Sequence, residues 1–375
     1  MTAREVLRFG RDRGDFMHDG YDFTKRLRMV SDRDVARLSE SFLDLAHAFD
    51  AEAMSDRLLF PLEMTWFYGE PVYDALPEDR KLMLNRLTFC MSYYSTAVAE
   101  AATNVLNYEA VVETLIKEDP EVALYMAREV VEETSHLESF IIVIRKVLAH
   151  YGLTLDDLRA KNVSLPMANR YAQAHSLLGW LRGNLDYYYF TRFALNVNQK
   201  TVERCTIDEP RMHPHVRALL KNHAIDEARH MQMSRATGKL ALGRMRSRLG
   251  RNLACIGYAH FAARIYMGRH KLDGRLQRAT RAGTLELCGV GTAEARRAYA
   301  EWRDRKNCPS DPPLVQAARV YYLKQNFSYI DELDVSPRMK RYMKHTIAAT
   351  YDDAAQAERD GSVRPLHFDE LTRAA

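Results

Sequence analysis

Residues Lys221–Met233 read KNHAIDEARHMQM, and the spacing inside that stretch decides the fold. His223, Glu227 and His230 follow one another at intervals of four and three residues. On an α-helix these steps stack three side chains on one face over two turns. Two imidazoles and a carboxylate on one stripe form a metal-binding pattern, and mixed nitrogen and oxygen donors suit iron, manganese or zinc better than calcium. The plainer reading is an exposed helix that happens to carry His and Glu.

Working outward, a Glu-x-x-His pair occurs twice, as Glu133/His136 and Glu227/His230. With 13 histidines in the chain, about one such pair arises by chance, so placement counts for more than number. Glu78–Lys117 reads as one long helix; Asp119-Pro120 breaks it, and Pro120 fits the first turn of a second helix running to about Ala149. A third long helix is expected from Met167 to Thr206, with a kink near Gly179 or Gly183, and a fourth from the Ile207–Pro214 turn to about Leu242. Each Glu-x-x-His pair thus lies mid-helix, and each of those helices follows another long one through a proline-containing turn. This is the two-fold pseudo-repeat of a four-helix carboxylate-bridged dimetal bundle.

Such a bundle takes one more carboxylate from the helix before each pair. Glu100 precedes Glu133 by 33 residues, and two antiparallel helices of equal reach around the Asp119-Pro120 turn bring the two together. Glu109 and Glu113, nearer the turn, read as surface charges. Two divalent irons carry +4, so bridging carboxylates are needed to hold them close, and imidazoles fix geometry while leaving open positions. Glu133 and Glu227 are the natural bridges. Glu100 and His136 are assigned to one metal, His223 and His230 to the other. The opposing reading makes these residues solvent-facing helix charges, with His136 a satisfied core histidine.

At these residues the sequence resembles the diiron p-aminobenzoate N-oxygenases, the aureothin-type arylamine N-oxygenases. The matching pieces are TAVAE at Thr96–Glu100, VEETSH at Val131–His136 and HAIDEARH at His223–His230, with FPLE at Phe60–Glu63 a weaker one. The histidine four residues before the second Glu-x-x-His is the most specific feature. The resemblance implies a ferritin-like four-helix bundle and an activity that oxidises an aryl amine with dioxygen through hydroxylamine and nitroso stages to nitro. It also implies Glu100, Glu133, His136, His223, Glu227 and His230 as metal ligands. One ligand does not carry over: a further glutamate on the third helix falls at Asn196. The nearest downstream carboxylate, Glu203, lies two turns away, about 10 Å along the axis. Three carboxylates leave two ferrous ions with about +1 and an open or weakly held position. Asn196 is expected to line the site, with Glu203 the rival for completing it.

The rest of the chain sets bounds. Its 375 residues are 47% hydrophobic, with 54 basic against 50 acidic side chains. A net charge of +4 is no nucleic-acid signal. Five scattered cysteines with no CxxC read as reduced thiols of a cytoplasmic protein. No apolar run reaches the roughly 18 residues of a membrane span, and MTAREVLRFGRDRGD is too charged for a signal peptide. Residues 58–77, with Pro61, Gly69, Pro71 and Pro77 among Phe60, Trp66, Phe67 and Tyr73, are expected to form an ordered, buried loop. The aromatic run Tyr187–Phe190 and the pair Tyr93 and Tyr94 read as core rather than substrate wall. Asp226 could hydrogen-bond a ligand histidine but reads as exposed, and His213, His215 and His260 read as structural.

The expectation is therefore an all-α chain, one ferritin-like domain over residues 1–375 with its core bundle at about 78–242 and extra helices at 31–53 and 243–360. It would bind two irons, or manganese or a mixed pair, use O2 as co-substrate, and N-oxygenate a small amine in natural-product biosynthesis. An external reductase or ferredoxin would supply electrons, and a homodimer is left open. A surplus of arginine makes a carboxylate-bearing substrate reasonable. The rivals are an oxygenase acting on carbon (a hydroxylase or desaturase), a non-catalytic metal-binding bundle, and a helical module binding RNA or a protein partner.

Overall fold

Proline and acidic residues mark where the long helices begin. In the computed structural model, which describes residues 35–117, 120–162, 172–178, 185–207, 209–265, 274–304 and 313–349, the first helix, α1, spans Val35–Ala48. The long helix α2 covers Glu78–Lys117 and opens with Glu78 and Asp79, acids that favour the partial positive charge of a helix start. Helix α3 runs Pro120–His150 and α5 runs Pro214–Arg244; each starts at a proline, whose missing N–H costs nothing in the first turn. Between them lies α4, Asp186–Ile207.

The expected continuous helix from Met167 is interrupted. Leu185 stands outside α4, although residues 172–178 are helical. The Leu185 amide donates to Glu113 Oε2 at 3.0 Å, so α2 provides the acceptor just before α4 begins. Gly179 and Gly183, where a kink is expected, lie outside the described residues.

α2 pairs with α3 and α4 with α5, as two helical hairpins whose members pack more extensively than any other elements. At 40 residues, α2 is about 60 Å long. α1 lies across α3 and α5. Beyond the bundle come α6 (Arg248–Ile265), α7 (Gly274–Leu287), α8 (Thr292–Asp304), α9 (Pro313–Glu332) and α10 (Pro337–Ala348). Gly283 lies inside α7. α6 and α9 back α4 through buried aromatics: Phe193 and Tyr329 stack at 4.3 Å, and the Tyr258 hydroxyl donates to Asn326 Oδ1 at 2.6 Å. Gly238 in α5 permits this closeness, because a methyl group there would overlap the Tyr329 hydroxyl and press on the Tyr189 carbonyl at 3.1 Å. Among the described residues there is no named strand, and the secondary structure is helical.

Residues 58–77 form the ordered, largely buried segment the sequence suggests. Asn85 of α2 holds it, donating to the Phe60 carbonyl at 2.7 Å and to Thr65 Oγ1 at 2.8 Å while accepting from the Leu59 amide at 3.0 Å. The Leu58 amide and carbonyl bond to Arg211 and His213 at 3.1 and 2.9 Å, tying this segment to the turn between α4 and α5. The termini, residues 1–34 and 350–375, with the expectations placed on them, lie outside the described residues.

Candidate metal centre

The middle of the bundle is polar where a core should be apolar. Glu100 on α2, Glu129, Glu132, Glu133 and His136 on α3, Asn196 and Glu203 on α4, and His223, Asp226, Glu227 and His230 on α5 are all buried. Buried acids and imidazoles carry a large desolvation penalty unless paired or bound to metal. The helical periods explain the convergence: Glu129, Glu133 and His136 share a stripe on α3, as His223, Glu227 and His230 do on α5.

Donor atoms from Glu100, Glu133, His136, His223 and Glu227 lie within 4.8 Å of one another and could hold one metal ion; donors from Glu129, Glu133 and His230 form a second such group. His223 Nε2 is 3.2 Å from Glu100 Oε1 and 3.9 Å from Glu227 Oε1. His136 Nδ1 is 3.5 Å from Glu133 Oε2. His230 Nδ1 is 3.1 Å from Glu133 Oε1 and 3.6 Å from Glu227 Oε1. The six residues singled out in the sequence therefore converge. His223 sits beside His136, ring centroids 4.2 Å apart, and the donor group that contains His223 does not contain His230. Antiparallel packing of α3 on α5 sets this, since the residue three after Glu133 then meets the one four before Glu227.

Each imidazole is gripped from behind by an acid. His136 Nε2 lies 3.1 Å from Asp226 Oδ2, His230 Nε2 lies 2.9 Å from Glu132 Oε2, and His223 Nδ1 is hydrogen-bonded to Glu203. An acid on one ring nitrogen fixes orientation and tautomer and makes the other nitrogen a better ligand. Those other nitrogens, His136 Nδ1, His223 Nε2 and His230 Nδ1, have no hydrogen-bond partner, nor do both Glu100 oxygens and Glu133 Oε2. Buried polar atoms are rarely left so. The orphaned atoms face one another, which is the donor set of a dimetal site, and they fit two cations.

Electrostatics agree with a cluster that holds protons until metal replaces them. Burial raises the Glu100 carboxyl to about 7. Burial alone would lower His136, but its bond to Asp226 and the nearby charge of Glu133 raise it to about 9. His223 and His230 are likewise held well above the ordinary imidazole value, against burial, by Glu203 and Glu133 respectively.

Asp226 corrects an expectation, being buried and bonded to His136 rather than exposed. The cause is the cover over that face of α5, where α1 and α3 pack. Glu203 stands behind His223, its Oε1 also accepting from Gln199 Nε2 at 2.7 Å, and is outside both groups of converging donors. Glu109 and Glu113 are half-buried, not surface charges: Glu109 accepts from the Ser176 hydroxyl and Glu113 from Leu185. Glu129, Glu132 and Arg192 went unnoticed in the sequence, although Glu129 stands four residues before Glu133, the interval that marks a shared helical face.

A cavity of about 250 Å³ opens on the cluster, bounded by Glu100, Glu133, Glu227 and Asn196 on one side and by Thr96, Thr103, Tyr188, Asn198 and Gln199 on others. Tyr188 is thus both core and cavity wall; its hydroxyl donates to Asn107 Oδ1 at 2.6 Å. Phe42 and Phe140 seal the opposite side, their rings 4.6 Å from His136 and 5.0 Å from His223. A larger cleft of about 690 Å³ between α6 and α10, lined by Arg248, Arg251 and Arg338, shares no residue with the cluster.

A family model described as p-aminobenzoate N-oxygenase AurF matches residues 35–271. The chain belongs to this family. No curated protein and no solved structure matches it. Members of the AurF family are oxygenases with a ferritin-like helical fold and a diiron centre, and the all-α bundle here, with its buried Glu and His donors, is that architecture. The match covers α1 to α6 and so includes every residue of the cluster. No helix among the described residues is long and apolar enough to cross a membrane.

Proposed function

We propose that the chain is a non-haem diiron enzyme that N-oxygenates a small amine, carrying it toward hydroxylamine, nitroso or nitro products in a natural-product pathway. The observation that supports this reading most directly is the set of buried donor atoms without hydrogen-bond partners, from Glu100, Glu133, His136, His223 and His230, beside a cavity that Glu100, Glu133 and Glu227 line. Glu100, Glu133, His136, His223 and Glu227 would hold one iron and His230 with Glu133 the other, with Glu133 common to both groups of donors. Bound iron would supply the redox chemistry that dioxygen needs. The chain's own groups do the rest. Asp226, Glu203 and Glu132 hold the imidazoles in one orientation. Phe42 and Phe140 keep water from the rear of the cluster. Thr96, Asn198 and Gln199 offer neutral hydrogen-bonding groups to a substrate. Converting an amine to a hydroxylamine puts one oxygen atom on nitrogen and releases the other as water, so two electrons and two protons must come from outside. A reductase or ferredoxin fills that need.

The test is to load the full chain with ferrous ion, add arylamines, a chemical reductant and oxygen, and look for products by mass. Products heavier by one oxygen, with label incorporated from 18O2 at nitrogen, support the reading. Oxygen placed on carbon would turn it toward a hydroxylase. Manganese or a mixed pair would show in the metal content of the active protein. Stoichiometric metal with no oxygen consumption would leave a metal-binding bundle without catalysis.

A further inference from the structure

The two groups of converging donors are unequal. The half containing Glu100, His136 and His223 has two imidazoles and a private acid. The half containing His230 has one imidazole and shares Glu133 with its neighbour. Asn196 lines that cavity but brings no charge.

Resting on the diiron reading above, we propose that Glu129 is the carboxylate ligand of the His230 half, supplied from α3, where the α4 residue lining the cavity, Asn196, brings no charge. Glu129 is 1% exposed and His230 is 0% exposed. Glu129 Oε1 lies 3.8 Å from His230 Nδ1, and that nitrogen has no hydrogen-bond partner. Two ligands on one ion, each bonded at about 2.1 Å, stand about 3 to 3.5 Å apart. A small side-chain adjustment closes the remaining gap. Glu129 is four residues before Glu133, so both carboxylates project from one stripe of α3 toward the same imidazole.

Arg192 sets the position from the other side. It is four residues before Asn196 on α4 and forms an ion pair with Glu129. A carboxylate has about four acceptor positions on two oxygens, so it can keep a guanidinium and still ligate a cation. The alternative role for Glu129 is counter-ion to Arg192 and nothing more. The two roles differ in what happens to metal stoichiometry when the charge is removed.

The experiment counts iron bound per chain after anaerobic loading and desalting, and measures the weaker of the two affinities by chelator competition. In Glu129→Gln the expected result is one tightly held iron in place of two, or a second site weakened at least tenfold, with the first unchanged. Glu129→Gln combined with Asn196→Glu should restore two. If the single variant fails to fold because Arg192 loses its counter-charge, Glu129→Gln with Arg192→Met removes both members and is read the same way. Two irons at wild-type affinity in Glu129→Gln, or in the paired variant, overturn the assignment while leaving the diiron reading intact. A wild-type chain holding only one iron overturns it too, and a wild-type chain that holds no metal overturns both.

Discussion

Asp226 Oδ2 lies 3.1 Å from His136 Nε2, so the imidazole on α3 is oriented by the residue immediately before Glu227 on α5. One helix turn thus contributes a cluster acid and the support for an imidazole of the opposite hairpin. Removing such a support ordinarily weakens metal binding about 10- to 100-fold. Asp226→Asn is expected to do so, while leaving the circular-dichroism spectrum helical. Chelator competition measures it; an affinity within a factor of two of wild type would show that His136 needs no support.

Phe42 of α1 shields the rear of the cluster at 1% exposure. Replacing it with alanine deletes a buried ring and leaves a void against His136. Such truncations cost about 3–5 kcal/mol, to be read from chemical denaturation of the metal-free protein. A loss below about 1 kcal/mol would mean that α1 contributes little to the packed state.

Gly238→Ala inserts a methyl group into the contact between α5 and Tyr329. Overpacking of this kind costs about 1–3 kcal/mol. Pairing it with Tyr329→Phe, which removes the obstructing hydroxyl, should recover part of that loss in thermal denaturation. No recovery would place the strain at the Tyr189 carbonyl instead.

His213 packs on Phe49 with ring centroids 4.8 Å apart, and burial lowers its pKa from 6.5 to about 4. The unfolded chain therefore binds a proton at this position between about pH 6.5 and 4 that the folded chain refuses. Stability contributed by the neutral ring is complete above pH 6.5 and is lost as pH falls through that window. His213→Gln should flatten the fall of the midpoint of thermal unfolding with pH across the same range. An unchanged slope would indicate that the folded protein accepts the proton at His213.

The bundle and its cluster were legible because they rest on local periodicity. His223, Glu227 and His230 betray their face by spacing alone, and Pro120 and Pro214 mark two helix starts. What escaped depends on how helices meet. The company His223 keeps is set by the direction in which α3 passes α5, which no single segment states. Asp226 is buried because helices distant in sequence pack on α5 and bring His136 to it. Glu203 lies two turns from Asn196 on α4, yet reaches His223 from behind, a relation visible only once α4 and α5 are side by side. The third helix reads as continuous with a kink, whereas Leu185 stands outside α4 with its amide bonded to Glu113 of another helix.

Arg229 donates to Glu132 Oε1 at 2.9 Å and also pairs with Asp226, the acids that steady His230 and His136. A single guanidinium therefore spans the two halves of the centre. The orientation of His230 and that of His136 rest on the same buried positive charge, so replacing Arg229 would release both supporting acids at once.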